Sequence, residues 1–238
     1  MESNVFIVAF GSVISLLGTM IGASIGTFVK HPGDKLLGAA IGFAGGVMLS
    51  VVVFDLIPEA LKRGDFFYTF FFCILGILVI SIVEKAIPIG DAKGSMKVGI
   101  ITALALMIHN FPEGIIMGCG FAGGSVLGLK MSLAIAIHDI PEGIAVSAPL
   151  MASKVKTSKI LFYTFLTALP TAFGAFIGVY MGNISQNVLC ISLSLASGIM
   201  LYVAVCEMMP ESYKIWKGTS GTIGSLIGIL CGMILSKL

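Results

Sequence analysis

Two hexapeptides carry most of the chemistry available to this chain. His109-Asn110-Phe111-Pro112-Glu113-Gly114 and His138-Asp139-Ile140-Pro141-Glu142-Gly143 are nearly the same string, and each interrupts a long apolar stretch. Imidazole and carboxylate together suit a borderline transition metal such as zinc. In a helix, positions i and i+4 share a face, so His109 and Glu113 can point at one ion, and so can His138 and Glu142. Two antiparallel helices in contact could bring all four groups to one tetrahedral or slightly expanded site. Asn110 and Asp139 are turned about 100° from the histidines by the helical repeat. With the glutamates bridging, they could hold a second cation nearby. Pro112 and Pro141 cannot donate to the carbonyls of Ile108 and Ile137, and freed carbonyls are tolerable at membrane depth where they line a polar cavity. Gly114 and Gly143 remove bulk beside the site and permit close helix approach.

The elements that must position these groups are set by composition. The chain has 238 residues, 57% hydrophobic and 11% charged, with a mean hydropathy of +1.07. A soluble domain would carry roughly a quarter charged residues, so the main solvent here is lipid. Ionisable groups at that depth cost about 2.5 to 3.5 kcal/mol each on insertion scales, which marks those present as functional candidates. A net charge of +2 is too small to suggest nucleic acid. Cys73, Cys119, Cys190, Cys206 and Cys231 lack paired spacing and read as packing residues, not a disulfide framework. No basic residue precedes the first apolar run, so that run is expected to stay as a span and not to act as a signal peptide.

A bilayer-spanning helix needs roughly 20 mostly apolar residues. Eight such segments are expected, at about 4–29, 36–60, 66–88, 97–121, 126–150, 158–182, 187–212 and 219–237, separated by short polar turns. The expected fold is all-α: a polytopic membrane protein with eight transmembrane helices in one domain, residues 1–238. Lys30, Lys35, Lys85, Lys93, Lys97, Lys154, Lys156, Lys159, Lys214 and Lys217 fall on one side, against Lys62, Arg63, Lys130 and Lys237 on the other. The richer side should be cytoplasmic, which puts both termini outside the cell membrane. His31 falls in a loop and reads as solvated.

The chain also repeats itself. A shift of 152 residues lays Gly22-Ala23 on Gly174-Ala175, Gly46 on Gly198, Met48-Leu49 on Met200-Leu201, Asp55 on Glu207, and Pro58-Glu59 on Pro210-Glu211. The first three segments (about 4–88) thus match the last three (about 158–237) in opposite sense, and the hexapeptide segments (about 97–150) match each other. The expectation is a 3+2+3 inverted repeat with a polar site at its centre, a common transporter plan. In the second and seventh segments, Asp55 and Glu59 lie four apart, as do Glu207 and Glu211. Met48 and Met200 sit seven before the first acid, a spacing that returns to roughly one face of a helix. Asp55 and Glu207 could relay cations. Glu59 and Glu211 read equally as solvated helix-end charge, and core packing is the stronger reading for the two methionines.

These paired motifs, His-Asn-x-Pro-Glu-Gly and His-x-x-Pro-Glu-Gly, resemble the signatures of the ZIP (Zrt/Irt-like) divalent-metal transporters, most closely the short prokaryotic members. The resemblance spans all eight segments. It implies a main transport site of His109, Glu113, His138 and Glu142, with Met48 as an extra soft ligand. It implies a binuclear centre in which Asn110 and Asp139 join the bridging glutamates, and a pathway lined by Asp55 and Glu207. It further implies uptake toward the cytoplasm by an elevator-like movement of helices 1, 4, 5 and 6 against 2, 3, 7 and 8. The chain departs from the family in two places. Thr171, after Pro170, stands where many prokaryotic relatives carry a sixth-helix glutamate, and the loop before the fourth segment lacks a histidine cluster.

The function expected is a carrier of Zn²⁺, or of Fe²⁺, Mn²⁺ or Cd²⁺, as transported substrate and not as catalytic cofactor. Its partners are those ions and the lipid bilayer, with a homodimer possible and no nucleic acid. A metal-selective cation channel is the alternative. An intramembrane metalloenzyme is weaker, because no H-E-x-x-H is present and every polar motif residue is already usable as a ligand.

Overall fold

A computed structural model describes residues 2–29, 33–86 and 95–237; a few side chains inside helices, that of His109 among them, lie outside the described residues. Eight helices and no strand occur among the described residues: α1 (Glu2–Val29), α2 (Asp34–Leu61), α3 (Phe66–Ala86), α4 (Ser95–Gly123), α5 (Ser125–Ala152), α6 (Thr157–Gly182), α7 (Gln186–Ile215) and α8 (Ser220–Leu235). They coincide within a few residues with the eight expected segments. The expected end of the third segment, at 88, and His31 lie outside the described residues. Six of the eight are long and apolar enough to cross a membrane; α8 is apolar but has 16 residues. The chain is an all-α polytopic membrane protein.

Its surface fits that solvent. Only 17% of the apolar window of α3 is buried, and Phe66, Phe67, Phe70 and Phe71 face outward. In water such a face would be an interaction site; here lipid covers it.

The helices form two groups. In one, α1 packs on α5 and α6, α4 on α6, and α4 on α5; in the other, α2 packs on α8 and α3 on α7. The groups meet mainly where α2 crosses α5 and α4 crosses α7. The largest buried cluster sits at that junction, with Val47, Met48 and Val51 of α2, Ile116 and Cys119 of α4, Met131 and Ala134 of α5, and Leu193, Ala196 and Met200 of α7.

Small residues set the spacing inside each group. A Cβ on Gly114 would run into the carbonyl oxygen of Thr171, and one on Gly143 into that of Thr19. Conversely, Gly174 lies against the carbonyl of Phe111 and Gly22 against that of Ile140. The 152-residue shift carries Thr19 to Thr171 and Gly22 to Gly174, so these two approaches of α4 to α6 have counterparts between α5 and α1. In the other group, Gly46 against the Ser225 carbonyl has its counterpart in Gly198 against that of Cys73.

Neither α2 nor α7 is a regular α-helix throughout. Val52–Leu56 and Val203–Met208 are π-helical turns. The cause lies one turn on, where Pro58 and Pro210 cannot donate to the carbonyls of Phe54 and Cys206. An extra residue per turn absorbs the mismatch. The expected common face for Met48 and Asp55 assumes an uninterrupted α-helix, and the π-turn breaks it. Met48 is fully buried, whereas Asp55 is half-buried beside the exposed Phe54.

The tight approaches make a direct prediction. Gly114→Ala and Gly143→Ala should each lower stability by about 1 to 3 kcal/mol through overpacking against backbone. Gly33→Ala, with no atom within 4 Å of the added carbon, should be nearly neutral. Thermal unfolding in detergent reads the difference, and equal midpoints for all three variants would refute this account of the packing.

Candidate metal centre

The hexapeptides lie in the middle of α4 and α5, which run antiparallel from a turn at Gly124. That residue has φ +147°, in the range glycine favours. Both helices continue through their prolines. Glu113 from α4 faces His138 and Glu142 from α5, and ligand atoms of the three lie within 4.8 Å of one another. His138 Nε2 is 2.7 Å from Glu113 Oε1. Relative exposures of 1% for Glu113, 0% for His138 and 4% for Glu142 make this a dry cluster. One nitrogen and two carboxylate oxygens are a donor set for zinc and similar ions. A tetrahedral ion holds such ligands roughly 3.4 Å apart, from bond lengths near 2.1 Å, so small side-chain rotations would close the set. His109 is in α4 one turn before Glu113, but its side chain lies outside the described residues.

Asn110 and Asp139 are buried beside the cluster and turn outward to different neighbours. Asp139 Oδ2 accepts from Ser15 Oγ at 2.7 Å and from Thr19 Oγ1 at 3.2 Å, both on α1. Its Oδ1 is 3.8 Å from His138 Nε2. Asn110 Nδ2 donates to the Thr167 carbonyl of α6 at 2.7 Å. Among the described residues, His138 Nδ1, Asp139 Oδ1, Asn110 Oδ1 and Thr171 Oγ1 are buried without a hydrogen bond. Buried polar atoms of this kind cost about 1 to 3 kcal/mol each unless something satisfies them. A bound cation or its water would satisfy those on the hexapeptides. The hydroxyls of Ser15 and Thr19 were not singled out from sequence. A signal existed, since the 152-residue shift carries Ser15 and Thr19 to Thr167 and Thr171, all four on the helices that flank the hexapeptides.

The remaining expected residues belong to α2 and α7. Met48 and Met200 are in the buried core where the two helix groups meet. Asp55 and Glu207 sit on the two π-turns, each half-buried. Glu59 is paired with Lys62 at 2.9 Å and with Arg63; Glu211 is paired with Lys214 at 3.2 Å. These are i,i+3 and i,i+4 pairs near the ends of α2 and α7.

Comparison with known proteins extends the local chemistry to the whole chain. Residues 89–237 match the ZIP zinc transporter family profile. A protein named zinc transporter ZupT from Clostridium perfringens is 30% identical, over 98% of this chain and 94% of its own length. Its namesake from Corynebacterium aurimucosum is 32% identical over 93% of this chain and 91% of its own length. That from Akkermansia muciniphila is 32% identical over 98% and 96%. The chain belongs to the ZIP zinc transporter family, and so is a multi-pass membrane protein of a transporter family and not an enzyme.

Proposed function

We propose that this protein is a carrier that brings Zn²⁺ into the cytoplasm, with His109, Glu113, His138 and Glu142 as its transport site. The observation that carries the reading is the dry cluster of Glu113, His138 and Glu142 in a member of the ZIP family. The relatives' name supplies zinc as the first ion; Cd²⁺, Fe²⁺ and Mn²⁺ fit the same nitrogen and oxygen donors. Asn110 and Asp139 form the edge of a second site that shares the glutamates. Met48 serves as a soft contact, and Asp55 and Glu207 attract the hydrated ion along the pathway. Glu59 and Glu211 stand at the pathway ends with their lysine partners.

The eight helices form one domain with both termini outside. The pairing of close approaches under the 152-residue shift supports a pseudo-two-fold axis in the membrane plane. That axis exchanges α1–α3 with α6–α8 and α4 with α5. The division of the packing into α1, α4, α5, α6 and α2, α3, α7, α8 supports an elevator-type movement of the first group past the second. Such movement gives the site alternate access to the two sides without a continuous pore.

Uptake of radioactive zinc into proteoliposomes tests the site. His109→Ala and His138→Ala, folded as judged by thermal unfolding, should each lower uptake at least about tenfold, the scale seen even for outer-shell changes at metal sites. Native rates in both would remove the central claim.

Thr171 gives a second test. Its side chain is buried on α6, one turn beyond Thr167, with its carbonyl against Gly114. Thr171→Glu should add a ligand beside Asn110 and raise the number of metal ions bound per chain, measured by equilibrium dialysis. An unchanged stoichiometry would argue against the second site at this position.

A further inference from the structure

We propose that a groove between α4, α5 and α6 binds an anionic phospholipid, taking the headgroup at its mouth and an acyl chain along its walls. The groove has a volume of about 530 Å³ and opens where α4 begins, α5 ends and α6 begins. Its walls are apolar, with Leu104 and Met107 of α4, Leu150 of α5 and Leu166 of α6. Its mouth is cationic, with Lys154, Lys156 and Lys159. All three lysines are exposed, and among the described residues none of their ammonium groups has an ion-pair or hydrogen-bond partner.

Lys154 is an outlier. Its φ of 59° makes it the one non-glycine in the left-handed region among the described residues. The Lys154 N–H donates to the Met151 carbonyl at 2.9 Å, and the Val155 N–H to that of Leu150 at 3.2 Å. This is the helix-ending turn that glycine fills at least cost. A lysine there keeps an ammonium at the mouth despite the strain, and strain held in this way marks a functional position. The adjoining α6 starts without a side-chain cap, so the positive end of its dipole adds to the field.

The chemistry selects the occupant. Three ammonium groups repel a divalent cation, so the groove is not the metal's route. A soluble anion would use the lysines and leave the apolar walls wet. A phospholipid satisfies both ends, and basic pockets between helices on the cytoplasmic side are where anionic headgroups bind. The groove floor reaches Thr167, whose carbonyl holds Asn110. The lipid would therefore pack one residue away from the metal centre, although its binding does not depend on how that centre works.

Native mass spectrometry of the detergent-purified full chain, offered phosphatidylglycerol or phosphatidylcholine, tests the proposal. The native protein should retain one phosphatidylglycerol in preference to phosphatidylcholine. Each lysine removed, as Lys154→Gly, Lys156→Gln or Lys159→Gln, should weaken retention about fivefold, while Lys62→Gln should not. Lys154→Gly relieves the left-handed backbone, so without lipid its thermal midpoint should equal or exceed the native value. Loss of retention in that variant is then not misfolding. Leu104→Trp, filling the groove with the lysines intact, should also abolish retention. Equal retention by native and triple-lysine variants would overturn the proposal, as would no preference between the two lipids. So would inorganic phosphate raising the thermal midpoint as much as phosphatidylglycerol, the signature of a free-anion site.

Discussion

The contact between His138 and Glu113 is the constraint on which the rest of the structure depends. Placing imidazole and carboxylate together in a dry interior is costly, and removing either one leaves its partner buried and uncompensated. The two groups come from different helices, so α4 and α5 must lie in contact at that height. They do so only if neighbouring helices come close enough to exclude lipid and water, which is the work of Gly114 against Thr171 and Gly143 against Thr19. Under the proposed transport site, the glycines would therefore serve the metal chemistry at one remove. They fix the walls, the walls fix the helices, and the helices hold three ligand atoms within 4.8 Å.

Outside this core the packing changes character. Where the two helix groups meet, the contacts are apolar and rich in methionine, with Met48, Met131 and Met200 all buried. Thioether side chains are unbranched and adapt to shifted neighbours. Two charged ties cross between the groups at one end, from Arg63 to the Gly123 carbonyl at 3.3 Å and from Lys130 to that of Ser236 at 3.0 Å. Apart from those two ties at one end, the surface between the groups is adaptable and apolar, which suits bodies that move as units. In the elevator movement proposed above the cluster would stay intact, because Glu113, His138 and Glu142 belong to one group.

The features legible in the sequence were those that depend on local periodicity. His138 and Glu142 four apart, apolar runs of helical length, and Gly-Gly-Ser between the fourth and fifth segments each follow from one stretch of chain. The 152-residue shift is a reading of sequence alone, with Pro58-Glu59 and Pro210-Glu211 in ungapped register, and the paired contacts of Gly114 and Gly143 are consistent with it. What escaped depends on strain or on tertiary neighbours. The π-turns at Val52–Leu56 and Val203–Met208 arise because prolines further along leave carbonyls unbonded, and that response altered the face expected for Met48 and Asp55. Ser15 and Thr19 looked like ordinary small polar residues on an apolar helix. Only the approach of α1 to α5 makes them donors to Asp139.

The difference between Asn110 and Asp139 follows from what each can donate. Asp139 is an acceptor when ionised, so it turns to the hydroxyls of Ser15 and Thr19. Asn110 has an amide to donate, so it turns to the Thr167 carbonyl and leaves the Thr171 hydroxyl without a bond among the described residues. The two sides of the cluster thus differ by a carboxyl against a carboxamide. In a site with true two-fold symmetry a cation would rest on the axis. In the proposed site, an ionised Asp139 on the α1–α5 side facing a neutral amide on the α4–α6 side would draw the cation off that axis. Under the proposed carrier mechanism, that asymmetry would let the proposed inverted repeat treat its two faces differently, although the glycine contacts on the two sides are matched.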